Sequence, residues 1–600
     1  KTTFIFISFP NQKPWVRKNL KDLFVQRNRA FSHQNDDELR DINLSIQKEI
    51  VDAKGKYREQ LESKFRSNNP REGWKCMQTM TGYKKKQKSP PVSESSSVYD
   101  TANEFNTFYA RFDDKCFDAE SNRIVNTLKQ FNDTPTVCQY NDVVRYFKKT
   151  NPRKSMGPDS ICGKVLKTCA WQLATPFVTL FQESLNQNHV PLCWKSSTII
   201  PAAKTPQASE PNDYRPISLT SLVMKCFERI ILQKHILPQI LPEIDPLQFA
   251  YQPRKSVNDA VLLLIHLVAQ HIDTLGRYVR TTFVDFSSAF NTIQPHLLMN
   301  KLTAMNVKPS LILWFHDFLT GRIQRVKLHN VLSDYVTTST GSPQGCVLSA
   351  PLFIMYTNDC ISSNDNVSVV KYADDTAIIG MIKGNDECQY REELFLFENW
   401  CEENFLVLNI AKTNEMTFDF RTNKGQANPI MLKGEDIQSV KSFKYLGTII
   451  DNELSWKDQC QSLYAKAQQR MYFLRKLNSF HVDRTILMLF YKSVIESVML
   501  FSCAVWYGGC RKDNLKKLQR ISNHASKMTG EVTDLKQECV CTILKQVSQI
   551  LENANHPLHH CYTLMRSGKR YRSMKARTSR FLNSFVPLSI RKYNEQLQSI

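Results

Sequence analysis

The sequence predicts an α+β protein in which helical segments flank a mixed central region. Val279–Phe286 alternates apolar and polar side chains as a strand does, and Val367–Tyr372 and Thr376–Ile379 are short apolar strands that flank Ala-Asp-Asp as a hairpin. Beyond residue 456, apolar side chains recur at helical spacing to the end of the chain. At 600 residues, the chain is also longer than one ordinary domain.

The N-terminal part is predicted to be helical and basic over residues 13–86. Residues 84–98, KKKQKSPPVSESSSV, combine lysines with Pro-Pro and serines and are typical of a linker. Residues 151–160 are a Gly- and Pro-containing loop. Further along, the apolar spacing predicts helices over Leu297–Met305 and Ser310–Leu319.

Composition favours a polyanionic partner inside the cell. The 79 Lys and Arg residues against 57 Asp and Glu residues give a net charge of +22, which attracts phosphate, although a membrane surface attracts the same charge. The 17 cysteines mostly stand singly among apolar residues, as Cys226 does, which indicates reduced thiols and an intracellular compartment. The longest apolar runs, such as Phe4–Phe9 and Val261–Ile265, are too short for a bilayer, so no membrane partner is expected.

Three aspartates carry the strongest chemical signal: Asp285 after the predicted strand, and Asp374 and Asp375 at the hairpin tip. Phosphoryl transfer to a nucleotide uses two Mg²⁺ ions about 3.5–4 Å apart, which acidify the attacking hydroxyl and neutralise the leaving group. Carboxylates suit Mg²⁺ and repel one another without it. An Asp-Asp pair alone is usually a plain turn. Here the pair follows Tyr372 between two strands, and a third aspartate, Asp285, stands at the end of another strand. The combination of these features predicts a metal site.

The motifs resemble those of reverse transcriptases of LINE-type (non-LTR) retrotransposons, most closely the jockey-like branch. TTFVDFSSAFNTI is similar to the first catalytic segment, VVKYADDTAIIG to the YxDD hairpin, and TGSPQGCVLSAPLFIMYTND to the Pro-Gln-Gly segment. KSMGPDSI, IIPAAKT, NDYRPISLT and QFAYQPRKSVNDA resemble segments upstream of these, and LNIAKTNEMTF and FKYLGTIID resemble segments downstream. The similarity runs in collinear order over roughly residues 150 to 530.

The resemblance implies roles for individual residues. Asp285, Asp374 and Asp375 would hold two Mg²⁺ ions, and the backbone carbonyl of Phe286 would complete the coordination shell. Phe290 would lie under the incoming sugar and reject a ribose 2′-hydroxyl, although without the motif a core phenylalanine is the simpler interpretation.

The resemblance also implies contacts to the nucleotide and the primer. Gln344 would contact the nucleotide sugar and the template base, and Gly345 would allow close backbone approach. Lys204 and Arg215 would contact the triphosphate, and Lys412 would act as general acid toward pyrophosphate. A solvated surface lysine is the alternative for Lys204, and a helix-end lysine for Lys412. The hairpin that grips the primer end would comprise Phe443, Tyr445, Leu446 and Gly447.

The sequence departs from the family pattern in few places. Ser349-Ala350-Pro351 stands where Ser-Pro is more usual, and Asn291 where Asp is common, but neither change removes a metal ligand. The chain begins with Lys1, so a fragment is expected, and the upstream endonuclease of such elements is not apparent.

The C-terminal part has two weaker signals. Arg566–Arg580 contains seven basic residues and no acidic one, which favours contact with nucleic acid, although a nuclear localisation signal or a solvated face has the same composition. A group of cysteines and histidines has the wrong spacing for a zinc knuckle, so zinc is not expected: Cys539, Cys541, His556, His559, His560 and Cys561.

The resemblance implies a right-hand polymerase fold with fingers, a palm and a helical thumb. The predicted division is an N-terminal extension over 1–150, fingers over 151–265, a palm over 266–450, a thumb over 451–530 and a basic tail over 531–600. The implied activity is RNA-directed DNA synthesis from a primer 3′-hydroxyl with dNTPs, on an RNA template and a DNA target, in the nucleus or as a cytoplasmic RNA complex. The alternatives are an RNA-binding remnant without activity and an RNA-dependent RNA polymerase.

Overall fold

The computed structural model describes residues 13, 15–66, 69–81, 97–131, 133–424 and 428–598. Its helices are α1 Lys18–Ser32, α2 Asp36–Arg66, α3 Pro70–Thr81, α4 Val98–Ala110, α5 Asp118–Leu128, α6 Tyr140–Lys149, α7 Gly163–Thr168, α8 Ala170–Asn186, α9 Leu192–Lys195, α10 Leu222–Ile231, α11 Leu237–Ile240, α12 Val257–Ile272, α13 Pro295–Ala304, α14 Pro309–Leu319, α15 Ser349–Tyr356, α16 Cys388–Glu403, α17 Lys457–Ser479, α18 Arg484–Phe490, α19 Ser497–Met499, α20 Cys503–Trp506, α21 Lys512–Thr529, α22 Leu535–Leu551, α23 Ser579–Leu582 and α24 Phe585–Gln598.

The strands are short and fall in the central part of the chain. They are β1 Ser197–Ala203, β2 Tyr214–Thr220, β3 Arg277–Val284, β4 Arg322–Leu328, β5 Val331–Leu332, β6 Val336–Thr338, β7 Val367–Tyr372, β8 Asp375–Lys383, β9 Asn414–Phe418, β10 Met431–Leu432, β11 Glu435–Asp436, β12 Gln438–Ser439, β13 Ser442–Tyr445 and β14 Thr448–Asp451. The chain is thus the mixture of helices and sheets that the sequence predicts.

The chain divides into two compact units. The first joins Lys1–Lys86 with Ser455–Gln546, and the second joins Gln87–Leu454 with Val547–Ile600. The first unit is helical where it is described, and the second contains all the strands given above. The finer division into fingers, palm and thumb stays a prediction. The linker predicted at 84–98 lies outside the described residues up to residue 96, and Ser97 caps α4 through the amide of Asp100.

The main sheet of the second unit has the strand order β12-β9-β3-β8-β7. Its central pairs β3–β8, β3–β9 and β7–β8 are antiparallel, and β12 runs parallel to β9. β3 is almost wholly buried, because it has a neighbouring strand on each side and helices packed against it. Its one buried charge, Arg280, forms ion pairs with Glu387 and Glu415, and these join β3 to β9 and to the start of α16.

A second sheet joins segments that are far apart in the sequence. β1 pairs with β2 in antiparallel register and with β4 in parallel register, and β4 also pairs with β5 and β6. β1 and β2 carry the motif residues Lys204 and Arg215 at or next to their ends. This sheet therefore positions both predicted triphosphate contacts.

One large apolar cluster lies in the second unit and includes side chains of α6, α8, α10 and α13–α16. Aromatic stacking fixes part of it: the rings of Phe181 and Phe227 lie 4.2 Å apart and parallel, and Trp314 meets Phe227 edge to face. Such packing leaves little freedom in the elements that carry the site. No helix in the described part of the chain is long and apolar enough to cross a membrane.

Candidate active site

The two adjacent aspartates stand at the turn of the β7–β8 hairpin. Tyr372 pairs with Asp375, which leaves Ala373 and Asp374 as the turn residues. Ala373 adopts a positive φ of 56°, a conformation that is uncommon for a residue with a side chain. The turn is nevertheless held from outside the hairpin, because the amide oxygen of buried Gln248 accepts a hydrogen bond from the Ala373 N–H at 3.2 Å.

Strand register brings Asp285 beside this turn. Val284 is paired with Thr376, so the next residue along β3, Asp285, faces Asp375, which precedes Thr376 on the antiparallel β8. The Asp285 backbone is fixed on both sides: its N–H donates to the hydroxyl of Thr413 at 3.3 Å, and its carbonyl accepts from the Asn409 N–H at 2.9 Å. The structure therefore brings together all three aspartates that the sequence singles out.

The three carboxylates influence one another electrostatically. Partial burial raises the pKa of Asp374, the charge of Asp285 raises it further, and the charge of Arg215 opposes both. Burial, followed by the charges of Asp374 and Asp285, raises the pKa of Asp375 to about 6. Like charges held this close favour a neutralising cation.

The donor set fits a magnesium ion that is shared with substrate. Within the described residues, no group of three or more His, Cys, Asp or Glu side chains is arranged to hold a metal ion by itself. Mg²⁺ does not require one, because it usually binds one or two carboxylates and completes its shell with water and substrate phosphates. Asp285, Asp374 and Asp375 are hard oxygen donors of that kind, and each belongs to a rigid strand or turn.

A pocket of about 190 Å³ opens next to the hairpin. The predicted nucleotide contacts Lys204, Arg215, Phe286, Phe290 and Gln344 line it together with Asp374. Its remaining lining residues are Phe108, Tyr109, Arg111, Asn212, Tyr214, Pro216, Ser288, Ala289 and Asn291. Residues from distant parts of the sequence thus converge on one cavity whose lining includes both cationic side chains and a carboxylate.

Lys204 stands in a cationic neighbourhood. Partial burial lowers its pKa, and the charges of Lys412 and Arg215 lower it further, against opposing effects of Asp213 and Asp285. Its Nζ donates to the Asn212 carbonyl at 2.5 Å. Lys412 is not among the lining residues of the pocket, but it is close enough to Lys204 to affect its charge.

Gly345 is required by the geometry of the Pro-Gln-Gly loop. The carbonyl of Gln344 accepts a hydrogen bond from the Ser218 N–H of β2 at 2.8 Å, which ties the loop to the strand. Gly345 then has a φ of 139°, and a Cβ there would lie 2.5 Å from the Ser218 carbonyl oxygen. Only glycine permits this approach without strain.

Phe290 is held at the wall of the pocket. Its carbonyl accepts from the Ser342 N–H at 2.8 Å, and its ring lies 5.1 Å from that of Phe353 in α15. It is half-buried, so one part of the ring packs on the core while another lines the pocket. The two interpretations given to Phe290, core residue and nucleotide contact, are compatible in this position.

The predicted primer hairpin is β13–β14. Leu446 and Gly447 form its two-residue turn with φ of 46° and 86°. Phe443 stacks on Phe283 of β3 at 4.4 Å, and Tyr445 lies 5.2 Å from the same ring. Burial, with a contribution from the charge of Asp375, raises the pKa of the Tyr445 hydroxyl. The hairpin therefore lies against the strand that carries Asp285.

The sequence did not indicate two residues that contact the candidate site, Arg111 and Gln248. Arg111, placed in the N-terminal extension, donates to the Ser288 hydroxyl at 3.3 Å and stacks over Phe108 and Phe112, at 3.8 and 4.2 Å. Gln248 lies inside one of the motifs quoted above, but nothing in the sequence shows that its side chain supports the β7–β8 turn. The only local signal for Arg111 is its place between two phenylalanines.

The C-terminal part of the chain packs against α12. Asp273, at the end of α12, accepts hydrogen bonds from the Arg577 and Thr578 N–H groups, both at 2.8 Å. His556 is buried against Asp259 of α12 at 3.1 Å, and the Cys561 thiol lies 3.5 Å from His266. Cys539 belongs to the other unit. Six of the seven cations in 566–580, all but Arg580, remain exposed.

Comparison with known proteins agrees with this site. Residues 202–450 match the family described as reverse transcriptase (RNA-dependent DNA polymerase), and this segment contains the three aspartates and the pocket residues Lys204, Arg215 and Gln344. Residues 456–497, in the other unit, match the family described as the N-terminal part of alkylated DNA repair protein alkB homolog 8. Residues 202–450 are thus similar to a reverse transcriptase domain.

Several curated proteins are similar to the chain. It is 26% identical over 399 residues to the probable RNA-directed DNA polymerase from transposon BS of Drosophila melanogaster, which covers 64% of this chain and 44% of that protein. The RNA-directed DNA polymerase from mobile element jockey of the same species is 24% identical, with 63% and 42% covered. The Pol polyprotein from type-1 retrotransposable element R1 of Bradysia coprophila is 23% identical, with 65% and 40% covered.

The chain is therefore related to the reverse transcriptases of jockey-like non-LTR retrotransposons. It spans less than half the length of the curated relatives it matches.

Proposed function

We propose that this chain is an RNA-directed DNA polymerase that extends a primer 3′-hydroxyl with dNTPs on an RNA template. One observation carries the proposal: the strand end at Asp285 and the turn at Asp374 and Asp375 meet beside a pocket that also presents Lys204 and Arg215. Carboxylates that attract cations and basic groups that bind phosphate are the two components that nucleotidyl transfer needs in one place.

In this proposal the three aspartates would hold two Mg²⁺ ions, which supply neutralisation of the triphosphate and a lower pKa for the primer hydroxyl. Arg215 contacts the phosphates in a bidentate manner, and Lys204 contacts them as a point charge. Arg111, from the segment N-terminal to residue 150, adds a third cation. The bulk of Phe290 beneath the sugar disfavours a ribose 2′-hydroxyl. Gln344 orients the sugar and the template base, and Lys412 protonates the leaving pyrophosphate.

The position of β13–β14 supports a role in holding the primer end. The hairpin stacks on β3 through Phe443 and Phe283, so it is fixed relative to Asp285 at the end of that strand. We further propose that the main sheet and its helices are the palm of a right-hand polymerase, with fingers over 151–265 and a thumb over 451–530. For such an element the primer would be a nicked DNA target and the template its own RNA, in the nucleus.

The experiment is primer extension on poly(rA)–oligo(dT) with Mg²⁺, offering dTTP or UTP in separate reactions. The proposal predicts extension with dTTP and much less with UTP. Preferred incorporation of UTP would instead indicate an RNA polymerase. Binding of the duplex without any extension would indicate an RNA-binding remnant, and either result would overturn the proposal.

The nucleotide preference should depend on Phe290. Replacing it by alanine removes the ring that would meet a 2′-hydroxyl. Phe290→Ala should therefore raise UTP incorporation relative to dTTP by about 10-fold or more, which corresponds to a loss of about 1.4 kcal/mol of discrimination. The matched control is Phe395→Ala, an exposed phenylalanine of α16, which should leave the ratio unchanged. An unchanged ratio in Phe290→Ala would contradict the assignment.

A further inference from the structure

A second pocket, of about 250 Å³, lies in the sheet-containing unit and shares no lining residue with the pocket beside Asp374. It is formed by the end of α6, the loop after it and one face of α10. Its lining carries four cationic side chains together with polar and aromatic groups: Lys149, Lys154, Lys225, Arg229, Asn151 and Tyr146. Four cationic side chains around one cavity favour the binding of an anion.

In the described part of the chain, none of the four cations forms an ion pair with a carboxylate, although the charge of Glu228 acts on Lys225 without pairing with it. Acidic residues on the same elements have other partners. Asp142 of α6 pairs with Lys234 at 3.3 Å, and Asp159 accepts from the Ser221 hydroxyl at 2.5 Å. Glu228 of α10 is fully buried and accepts from the Val347 and Leu348 N–H groups at 2.5 and 3.0 Å.

The cations repel one another in this arrangement. Burial lowers the pKa of Lys225, and the charges of Lys154 and Arg229 lower it further, whereas Glu228 acts in the opposite direction. Lys225 and Arg229 lie one helical turn apart on α10, so the helix holds their charges together. A bound anion would relieve this repulsion.

The loop that completes the pocket is fixed by close backbone packing. A Cβ on Gly157 would lie 2.6 Å from the Ser221 nitrogen, and one on Gly163 would lie 2.7 Å from the Asn151 carbonyl oxygen. Asn151 also accepts from the Arg153 N–H through its side chain at 2.9 Å and from the Lys154 N–H through its carbonyl at 3.2 Å. Lys154 is therefore carried by an ordered loop, not by a free surface segment.

We propose that this pocket binds a backbone phosphate of a nucleic-acid strand, remote from the reacting nucleotide. The proposal rests on the proposed function, because the strand would be the template or primer of the same polymerase. Three point charges and a guanidinium fork suit phosphate oxygens, and the ring of Tyr146 gives an adjacent base an aromatic surface. A polymer is favoured over a free phosphate because the chain carries a net charge of +22.

The test is the salt dependence of binding to a fluorescein-labelled single-stranded RNA, measured by anisotropy with the full chain. The variant Lys149→Gln/Lys154→Gln changes two exposed lining residues, so folding should be unaffected. Each phosphate contact to a single strand contributes about −0.7 to the slope of log K against log salt, so the variant's slope should become shallower by about 0.7. The control Lys164→Gln/Lys167→Gln removes two exposed charges of α7 outside the pocket and should keep the wild-type slope.

Two results would overturn the proposal. One is a slope in the pocket variant equal to that of the control. The other is calorimetric binding of inorganic phosphate that is lost in the pocket variant while its RNA slope stays at the control value, which would assign the site to a free phosphate. Primer extension by the wild type, run in parallel, tests the proposed function separately, so failure of the pocket and failure of the activity are distinguishable.

Discussion

At the scale of single residues, the candidate site depends on backbone positions that few side chains tolerate. Gly345 combines a φ of 139° with a contact that leaves no room for a Cβ, and Ala373 has a φ of 56° in the β7–β8 turn. Strained positions of this kind persist only where the surrounding structure holds them, as Gln248 and β2 do here.

Gly345→Ala should therefore reduce both stability and activity. The new methyl group must displace the Ser218 carbonyl, at a cost of about 2 kcal/mol or more, and this shifts Gln344 in the nucleotide pocket. Gly384→Ala is a matched control, because Gly384 has a φ of 57° but nothing within 4 Å of an added Cβ. Thermal unfolding and extension rates should show a larger loss for Gly345→Ala, and equal losses in the two variants would contradict the role of the close contact.

The sequence identified single site residues where the proposed chemistry allows few residue types. Asp285, Asp374 and Asp375 could be recognised because clustered carboxylates next to strands have few structural uses, and the structure brings them together. Arg111 and Gln248 could not, because their roles depend on contacts with Ser288 and Ala373, which are distant in sequence. A local sequence pattern does not indicate a hydrogen bond between residues that are far apart in the chain.

At the scale of elements, hairpins were predicted better than sheets. The alternation around Ala-Asp-Asp predicted β7 and β8, although β8 extends to Lys383, beyond the expected end at Ile379. Helices α13 and α14 lie where apolar spacing and Pro309 indicated. The parallel pairing of β1 with β4 was not foreseen, because parallel strands need a long connection and their register is set by tertiary packing.

The β13–β14 hairpin should act through its stacking on β3. Phe443→Ala removes a ring contact worth about 0.5–1.5 kcal/mol, which loosens the hairpin beside Asp285. We expect KM for the primer to rise several-fold with a smaller change in kcat. Ser442→Ala, an exposed position on the same strand, should leave both constants unchanged. A loss confined to kcat would argue against a primer-holding role.

At the scale of the whole molecule, the C-terminal segment is part of the second unit, and the composition that predicted a basic tail did not reveal this. Residues 556–578 close against α12 through His556, Cys561 and Thr578. A segment rich in charge has the composition of a solvated segment, whereas its contacts with α12 come from single side chains such as buried His556, which composition does not indicate. Contact between its exposed cations and nucleic acid stays a prediction.

The contact between α12 and this segment should weaken in acid. Burial, together with the charge of His560, lowers the pKa of His266 from 6.5 to about 4. Below pH 6.5 the unfolded chain takes up a proton that folded His266 does not accept until about pH 4. Stability is thus complete above pH 6.5 and falls by up to about 3 kcal/mol between these values.

Thermal unfolding at pH 7 and pH 4.5 tests this dependence. His266→Gln should show a smaller loss of Tm on acidification than the wild type. His524→Gln, an exposed histidine of α21, should behave as the wild type. Equal losses of Tm in His266→Gln and the wild type would show that His266 does not carry the acid sensitivity.

We propose that Asp285, Asp374 and Asp375 hold the metal ions for RNA-templated DNA synthesis. The most direct test is single-turnover incorporation of dTTP on poly(rA)–oligo(dT) by the wild type, Asp374→Asn and Asp386→Asn, with duplex affinity measured on the same proteins. Asp386 is an exposed aspartate just beyond the opposite end of β8. We predict that Asp374→Asn loses incorporation by at least about 100-fold, since metal ligation contributes several kcal/mol, while binding the duplex like the wild type. Incorporation by Asp374→Asn at the rate of Asp386→Asn and the wild type would contradict the account.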